Sequence, residues 1–220
     1  MKKTIKEFLK ALEDGYVCLH PTDTIPGLTF HPALNKSSQT TYSNLELLES
    51  YKQRSGSKPF IALVDQFETA TRFWEPLPPK WDDFLKKIWP APISFIWLAS
   101  DTVPPRLLGA DGTLALRSPK LPESHEWFRE VLRLIKLPLP TTSVNLSGES
   151  PACTIKDAVK MLSGQKGFFV ADALKTAHEE ARPTSPSSVV KIQGDGSYHL
   201  VREGLVSLDS FASMARQFGL

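Results

Sequence analysis

The spacing of apolar residues along the chain predicts alternating helices and strands. Apolar positions recur at helical spacing around residues 4–14, 45–51, 81–88, 124–135, 154–163 and 208–218. Short apolar or alternating runs predict strands at residues 16–20, 60–64, 93–98, 113–117, 167–171, 188–192 and 198–202. Thr4, Ser124 and Thr154 are the expected helix N-caps, and Gly15 and Gly164 the expected helix stops. Alternation of this kind favours a single α/β domain with a largely covered, twisted sheet.

Composition adds the broad class of protein. The 220 residues are 41% hydrophobic and 23% charged, which is typical of a globular chain long enough to bury a substantial core. The formal net charge of +2 argues weakly against a general nucleic-acid coat, although a local basic patch fits within such a balance.

Several residue types carry no predicted chemistry. Cys18 and Cys153 are far apart and form no CxxC pair, so we expect two small buried residues and neither a disulfide nor a zinc site. The five histidines show no metal-ligand spacing, and we expect them at the surface or in the core. The N-terminus has no signal-peptide pattern and no window approaches a membrane span, so the default expectation is a cytoplasmic protein with no membrane partner.

Two polar segments follow predicted strands. Residues 22–24, set between Pro21 and Pro26, are three consecutive residues with oxygen-bearing side chains. Residues 141–148 combine hydroxyls, the Asn145 amide and Gly148. Such turns can present N–H groups and hydroxyls to a phosphorylated ligand, but ordinary turns use the same residues to satisfy their own backbone. Taken singly, each segment favours the ordinary turn.

Cations near these segments change that balance. Lys52, Arg54 and Lys58 lie in one loop, which is either a solvated basic loop or an anion site. Arg117 and Ser187 lie at the borders of further predicted strands. Strand ends on one edge of an α/β sheet define a shared crevice, and a crevice lined in this way suits a nucleotide or another anion. Neither a P-loop nor a Rossmann glycine motif is present.

Seven short motifs occur in an order similar to that of the YrdC-like family. They are Pro21-Thr22-Asp23-Thr24-x-x-Gly27-Leu28, Lys52-x-Arg54-x-x-x-Lys58-Pro59, Trp89-Pro90-x-Pro92, Leu116-Arg117-x-Pro119, Ser143-x-Asn145-x-Ser147-Gly148, Ser187-Ser188-Val189-Val190 and Arg202-x-Gly204. A single motif of this length is weak, but seven in register from residue 21 to residue 204 are specific. The chain therefore resembles short, single-domain members of this family, which contains the threonylcarbamoyl-AMP synthases.

The resemblance implies a fold and an activity. The fold is α/β, a single domain over residues 1–220 with a twisted open mixed sheet flanked by helices and a concave, positively lined face. The activity joins L-threonine, bicarbonate or CO₂, and ATP into threonylcarbamoyl-AMP and releases pyrophosphate. The product feeds the N6-threonylcarbamoyl modification of adenosine in tRNA, so tRNA and downstream tRNA-modification proteins are implied partners, and weak RNA binding is compatible with the same face.

The resemblance also implies roles for individual residues. The carbamate nucleophile is already anionic, so catalysis would come from positioning and from neutralising charge. Lys52 and Arg54 would be catalytic, and Thr22, Thr24 and Arg54 would bind threonine. The implied nucleotide contacts are Lys52, Arg54, Lys58, Arg117, Ser143, Asn145, Ser187 and Arg202. Mg²⁺ would accompany ATP without a dedicated protein cage.

Departures from the family pattern keep alternatives open. Ile25-Pro26 stands where the family usually has Val-Tyr, Ser55 replaces a common Pro, and Ala91 replaces a Gly. A paralogue acting on another carbamoyl-adenylate is therefore one alternative. A non-catalytic double-stranded RNA-binding or ribosome-associated module is another. Ser143 and Asn145 favour an enzyme over this module, because such side chains add little to the affinity for the phosphate backbone of RNA. Residues 35–44 suit either a lid over the substrate or a plain surface loop.

Overall fold

Eight helices and nine strands build the part of the chain that the structure, a computed structural model, describes: residues 1–34, 43–53, 60–176 and 184–220. The helices are α1 (Lys2–Glu13), α2 (Asn44–Lys52), α3 (Phe67–Ala70), α4 (Pro79–Ile88), α5 (Glu126–Ile135), α6 (Ile155–Leu162), α7 (Asp172–Lys175) and α8 (Leu208–Arg216). The strands are β1 (Val17–His20), β2 (Gly27–Thr29), β3 (Ile61–Leu63), β4 (Ile93–Leu98), β5 (Thr113–Arg117), β6 (Leu139–Ser143), β7 (Phe168–Phe169), β8 (Ser188–Ile192) and β9 (Tyr198–Arg202). Two short 3₁₀ turns span Pro105–Leu107 and Glu123–His125.

The strands form one open mixed sheet in the order β7-β1-β2-β6-β3-β5-β4-β8-β9. Pairs β1–β7, β3–β5 and β4–β8 are parallel, and the other neighbouring pairs are antiparallel. This confirms the predicted mixed α/β sheet flanked by helices.

Two hydrophobic clusters hold the helices against the sheet. The first joins α1, α5 and α6 to β1 and β2. In it, Phe8 of α1 packs edge to face against Trp127 of α5, with ring centroids 5.5 Å apart. The second joins α4 and α8 to β4, β5 and β8, with Phe84 and Phe211 in edge-to-face contact at 5.8 Å. Fully burying one such ring contributes about 1.5–3 kcal/mol, so these contacts anchor the helices.

Most predicted elements are present, with differences at their ends. Thr154 caps α6 as expected, since its side chain accepts a hydrogen bond from the Asp157 N–H at 3.0 Å. Thr4 is not a cap because α1 already begins at Lys2. Ser124 is not a cap either, because it lies in a 3₁₀ turn and its hydroxyl contacts His125 Nδ1.

The polar segments differ from the prediction in their secondary structure. Gly27–Thr29 forms the unexpected strand β2, and β6 runs on to Ser143. Three of the polar residues at 141–148 therefore belong to a strand, and the turn begins only after them. The three strand residues are Thr141, Thr142 and Ser143.

Other expectations can be compared with the described residues. Cys18 is buried as predicted, and burial raises the pKa of its thiol, whereas Cys153 is only partly buried. No helix among the described residues is long and apolar enough to cross a membrane. The proposed lid at 35–44 lies largely outside the described residues, which resume before Asn44 at the start of α2.

Candidate active site

A cavity of about 390 Å³ lies against the middle strands of the sheet. Register places Gly27 of β2 opposite Ser143 of β6, and Thr141 of β6 opposite Ile61 of β3, so these lining residues share one face. The cavity is lined by Thr22, Thr24, Ile25, Pro26, Gly27, Ile61, Arg117, Thr141, Thr142, Ser143, Pro151, Pro186, Ser187 and Arg202. The prediction of a crevice at the edge of the sheet is therefore wrong. The sheet is mixed, and the polar residues meet over its face.

Arg117, at the end of β5, supplies the buried cation of this cavity. It is 4% exposed, pairs with the Asp23 carboxylate and donates to Thr24 Oγ1 at 3.1 Å. Burial lowers the pKa of Arg117, and the charge of Asp23 opposes that shift. Its Nε is buried and has no hydrogen-bond partner among the described residues. A buried donor without a partner is costly, which favours an acceptor supplied by a ligand.

The β1–β2 turn holds Arg117 through a chain of hydroxyl contacts. Thr22 Oγ1 donates to the Ile25 carbonyl at 2.8 Å and accepts from the Thr24 N–H at 2.9 Å. The two threonine hydroxyls lie 3.1 Å apart, and Asp23 also accepts from the Lys120 N–H. The predicted threonine-binding residues Thr22 and Thr24 therefore line the cavity while they also order their own turn.

A second arginine of the cavity lies on β9, the last strand in the sheet order. Arg202 donates to the Ser187 carbonyl at 2.8 Å, and Ser187 Oγ contacts Ser94 Oγ at 3.0 Å. Desolvation lowers the pKa of Arg202, and the positive charge of Arg117 lowers it further. Because the hydrogen-bond partners of Arg202 are neutral, the cavity keeps an excess of positive charge that suits an anion.

Lys52 lies beside the cavity, at the end of α2. Its ammonium donates to the Ser143 carbonyl at 2.8 Å and to Asn145 Oδ1 at 2.7 Å. The Asn145 amide donates in turn to the carbonyls of Leu146 and Glu149. Lys52 is 5% exposed and belongs to α2, so the alternative of a solvated basic loop is wrong for this residue.

Sequence reasoning missed the pair formed by His20 and Thr141. His20 is fully buried at the end of β1, and its Nε2 lies 2.8 Å from Thr141 Oγ1. Gly27 packs against both, because a Cβ there would lie 2.5 Å from His20 Nε2 and 2.6 Å from Thr141 Oγ1. The position of His20 directly before Pro21-Thr22 was the available signal, but the pairing spans 121 residues.

The predicted site residues divide into three groups by position. The cavity brings together Thr22, Thr24, Arg117, Ser143, Ser187 and Arg202. Lys52 and Asn145 contact Ser143 next to the cavity. Arg54 and Lys58 lie outside the described residues.

A larger cavity of about 470 Å³ near α4 and α5 fits an anion less well. Two of its arginines are paired within α5, Arg129 with Glu126 at 3.0 Å and Arg133 with Glu130 at 2.6 Å. It contains none of the predicted site residues, so we assign the candidate site to the smaller cavity.

Comparison with known proteins identifies the family of the chain. The sequence model of the Sua5/YciO/YrdC family, described as "Telomere recombination", matches residues 10–204. The chain belongs to the Sua5/YciO/YrdC family. Curated relatives include the threonylcarbamoyl-AMP synthase of Pseudoalteromonas translucida, 27% identical over 79% of this chain and 88% of the relative. That of Neisseria meningitidis is 29% identical over 81% of this chain and 86% of the relative.

Solved structures show the same fold. E. coli YciO superposes with a TM-score of 0.74 at 19% identity, over 96% of this chain and 94% of YciO. P. abyssi Sua5 complexed with L-threonine superposes with a TM-score of 0.79 at 20% identity. The match covers 97% of this chain and 58% of the Sua5 chain, so this chain spans less than two thirds of that protein. The Sua5/YciO/YrdC fold thus extends over nearly all of the chain.

Proposed function

We propose that this chain is a threonylcarbamoyl-AMP synthase, which converts L-threonine, bicarbonate and ATP into threonylcarbamoyl-AMP, pyrophosphate and water. Curated relatives that carry this activity in their names match about four fifths of the chain. The product would serve N6-threonylcarbamoyl modification of tRNA, with downstream tRNA-modification proteins as partners and the cytoplasm as the setting.

The observation that carries the proposal is the pair of arginines on one cavity. Arg117 has a buried Nε–H without a partner among the described residues, and Arg202 has neutral hydrogen-bond partners. Hydroxyl-bearing side chains of the β1–β2 turn and of β6 line the same cavity. Arginines bind carboxylate and phosphate oxygens in a fixed fork geometry, as the amino acid carboxylate and the nucleotide phosphates require.

The chemistry needs positioning more than a protein nucleophile. The amine of L-threonine attacks CO₂ to form a carbamate, and a carbamate oxygen then attacks the α-phosphorus of ATP while pyrophosphate leaves. Fixed cations stabilise the charge that develops on the phosphoryl oxygens. Arg54 and Lys58 join this set in our proposal through the family motif, and Lys52 supports it through Ser143 and Asn145.

Mg²⁺ enters the proposal as the partner of the ATP phosphates. Within the described ranges no group of three or more His, Cys, Asp or Glu side chains could hold a metal ion. The Asp23 carboxylate at the cavity is engaged by Arg117 and by the Lys120 N–H. The ATP phosphate oxygens would therefore supply the main ligands of Mg²⁺, without a dedicated set of protein side chains.

Pyrophosphate release tests the function directly. The protein is incubated with ATP, Mg²⁺, bicarbonate and L-threonine, and each substrate is omitted in turn. We expect release to require all three substrates. Release that persists without L-threonine, or that needs another amino acid, would favour the paralogue, and tight binding of double-stranded RNA without turnover would favour the RNA-binding module.

Arg54→Ala tests the basic motif in the same assay. We expect at least a hundredfold loss of pyrophosphate release, comparable to the loss of one preorganised charge-stabilising group. The melting temperature should stay within about 1 °C of wild type, because the proposal assigns Arg54 to ligand binding and gives it no role in folding. Release at the wild-type rate would remove Arg54 from the proposed site.

A further inference from the structure

His20, which is fully buried, and Thr141, which is partly buried, form a pair at the cavity that the family motifs do not include. The imidazole stacks on Phe128, with ring centroids 4.7 Å apart and planes 14° from parallel. Its Nδ1 lies 3.1 Å from the Pro21 carbonyl, and its Nε2 lies 2.8 Å from Thr141 Oγ1. Thr141 itself lines the cavity, so the pair links the core to the ligand space.

The partners of the imidazole assign its proton. A carbonyl oxygen can only accept, so Nδ1 carries the proton and Nε2 of the neutral ring accepts from the Thr141 hydroxyl. Burial lowers the pKa of His20 to about 4, and the charge of Arg117 acts in the same direction, so the ring is neutral at neutral pH. The Thr141 hydroxyl proton is therefore held by His20, and the remaining lone pairs of Oγ1 can only accept.

Gly27 packs against His20 and Thr141 and leaves no room for another group beside their hydrogen bond. Register sets His20 opposite Gly27, and the glycine backbone lies where a side chain would meet both polar atoms. The stack on Phe128, the Pro21 carbonyl and Gly27 together hold the imidazole in one orientation. The hydroxyl orientation of Thr141 is thus fixed before any ligand arrives.

We propose that His20 is a positioning residue that holds Thr141 Oγ1 as a hydrogen-bond acceptor for the amine of the amino acid substrate. This inference rests on the proposed function. The amine lone pair forms the N–C bond to CO₂, one C=O π pair moves to oxygen, and one N–H proton leaves to solvent. An acceptor binds an N–H and leaves the lone pair free, whereas a donating hydroxyl would compete for that lone pair. The carbamate keeps one N–H, so the contact persists to the adenylation step.

Titration calorimetry with two ligands tests the contact without turnover. L-Threonine carries the amine, and (R)-3-hydroxybutyrate is the same molecule without it. We expect wild type to bind L-threonine more tightly than (R)-3-hydroxybutyrate. Thr141→Val and His20→Phe should each lower the affinity for L-threonine about tenfold, the scale of one hydrogen bond to a charged group. Affinity for (R)-3-hydroxybutyrate should change less than about twofold. The double variant should match the single ones, because His20 acts through Thr141.

Conservative variants provide the controls. Thr141→Ser keeps the hydroxyl and His20→Gln keeps an acceptor, so both should retain near wild-type affinity even if His20→Phe folds poorly. His199→Gln, at an exposed histidine of β9, controls for loss of an imidazole.

Each outcome decides between the two proposals. Equal affinity of wild type for both ligands, no binding of L-threonine, or losses that multiply in the double variant would overturn the role of His20. A preference for L-threonine that depends on His20 and Thr141, without pyrophosphate release from wild type, would overturn the proposed synthase activity and leave the positioning role standing.

Discussion

His20 is a buried base whose two ring nitrogens are both engaged. Sequence patterning predicted a histidine with no catalytic chemistry, at the surface or satisfied in the core, and the contacts with Pro21 and Thr141 confirm the core position. Patterning could not predict the tautomer of His20, because the tautomer depends on a residue 121 positions later. The position of the imidazole proton is therefore set by tertiary contacts.

The pKa of His20 predicts a stability change with pH. Its folded value of about 4 lies below its ordinary value of 6.5, so the unfolded chain takes up the proton first as pH falls. The contribution of neutral His20 is full above pH 6.5 and is lost as pH falls from 6.5 to 4. At about 1.36 kcal/mol per pKa unit, the loss amounts to about 3 kcal/mol. Urea unfolding of wild type and His20→Gln at several pH values measures it.

The difference between the two proteins isolates His20 from the carboxylates that titrate in the same range. We expect the free energies of unfolding to converge as pH falls to 4. His199→Gln, at an exposed histidine, should follow the wild-type curve. A difference between wild type and His20→Gln that is independent of pH would contradict the assignment of a depressed pKa.

Individual elements were predictable where their apolar pattern was long enough. The predicted bounds of β4, β5, β8 and β9 are those observed, because each has at least five residues of continuous or alternating character. β2 has three residues and α3 has four, too few for a period to emerge. For the site, motifs identified Arg117 and Ser143, but the burial of Lys52 depends on contacts 91 and 93 residues away that no local pattern encodes.

Lys52 joins the C-terminal end of α2 to the segment that follows β6. Besides its ammonium contacts, its carbonyl accepts from the Ser147 N–H at 2.9 Å. Lys52→Met keeps the aliphatic stem and removes the charged donor, so the Ser143 carbonyl loses the hydrogen bond from the Lys52 ammonium. We expect a loss of about 2 kcal/mol in the free energy of unfolding, the scale of a hydrogen bond to a charged group.

Urea unfolding of Lys52→Met measures this loss. Lys6→Met, at an exposed lysine on α1, provides the matched control and should unfold like wild type. Equal stability of both variants would mean that the Lys52 contacts contribute nothing to the fold.

Gly204 sets the approach of β9 to the start of β8. A Cβ at Gly204 would lie 2.6 Å from the Ser187 carbonyl carbon and closer still to the Pro186 oxygen. Gly204→Ala must therefore displace the segment that holds Ser187 and its contact with Arg202. We expect a loss of about 1–3 kcal/mol in the free energy of unfolding, with a higher KM for ATP. Gly194→Ala, with open space around the added methyl, should change neither quantity.

The candidate cavity brings together residues from distant parts of the chain. The lining residues come from both ends of the described chain, from Thr22 after β1 to Arg202 on β9. The two hydrophobic clusters share the same sheet, one with β1 and β2 and the other with β4, β5 and β8. A ligand in the cavity would therefore stabilise elements that belong to both clusters, and the single domain predicted from sequence should unfold in one transition.

Ligand binding should thus raise the melting temperature of the whole chain. ATP at 100 times its Kd adds about 2.7 kcal/mol if it binds only the folded state. For a chain of this size, about 2–4 °C per kcal/mol gives a rise of about 5–11 °C. Arg202→Gln should lower the affinity for ATP and reduce this rise in melting temperature, because it removes a cavity cation whose hydrogen-bond partners are neutral. Arg216→Gln, at an exposed arginine ending α8, should keep the full rise. Differential scanning fluorimetry measures all three proteins, and an equal rise in each would show that ATP binds away from this cavity.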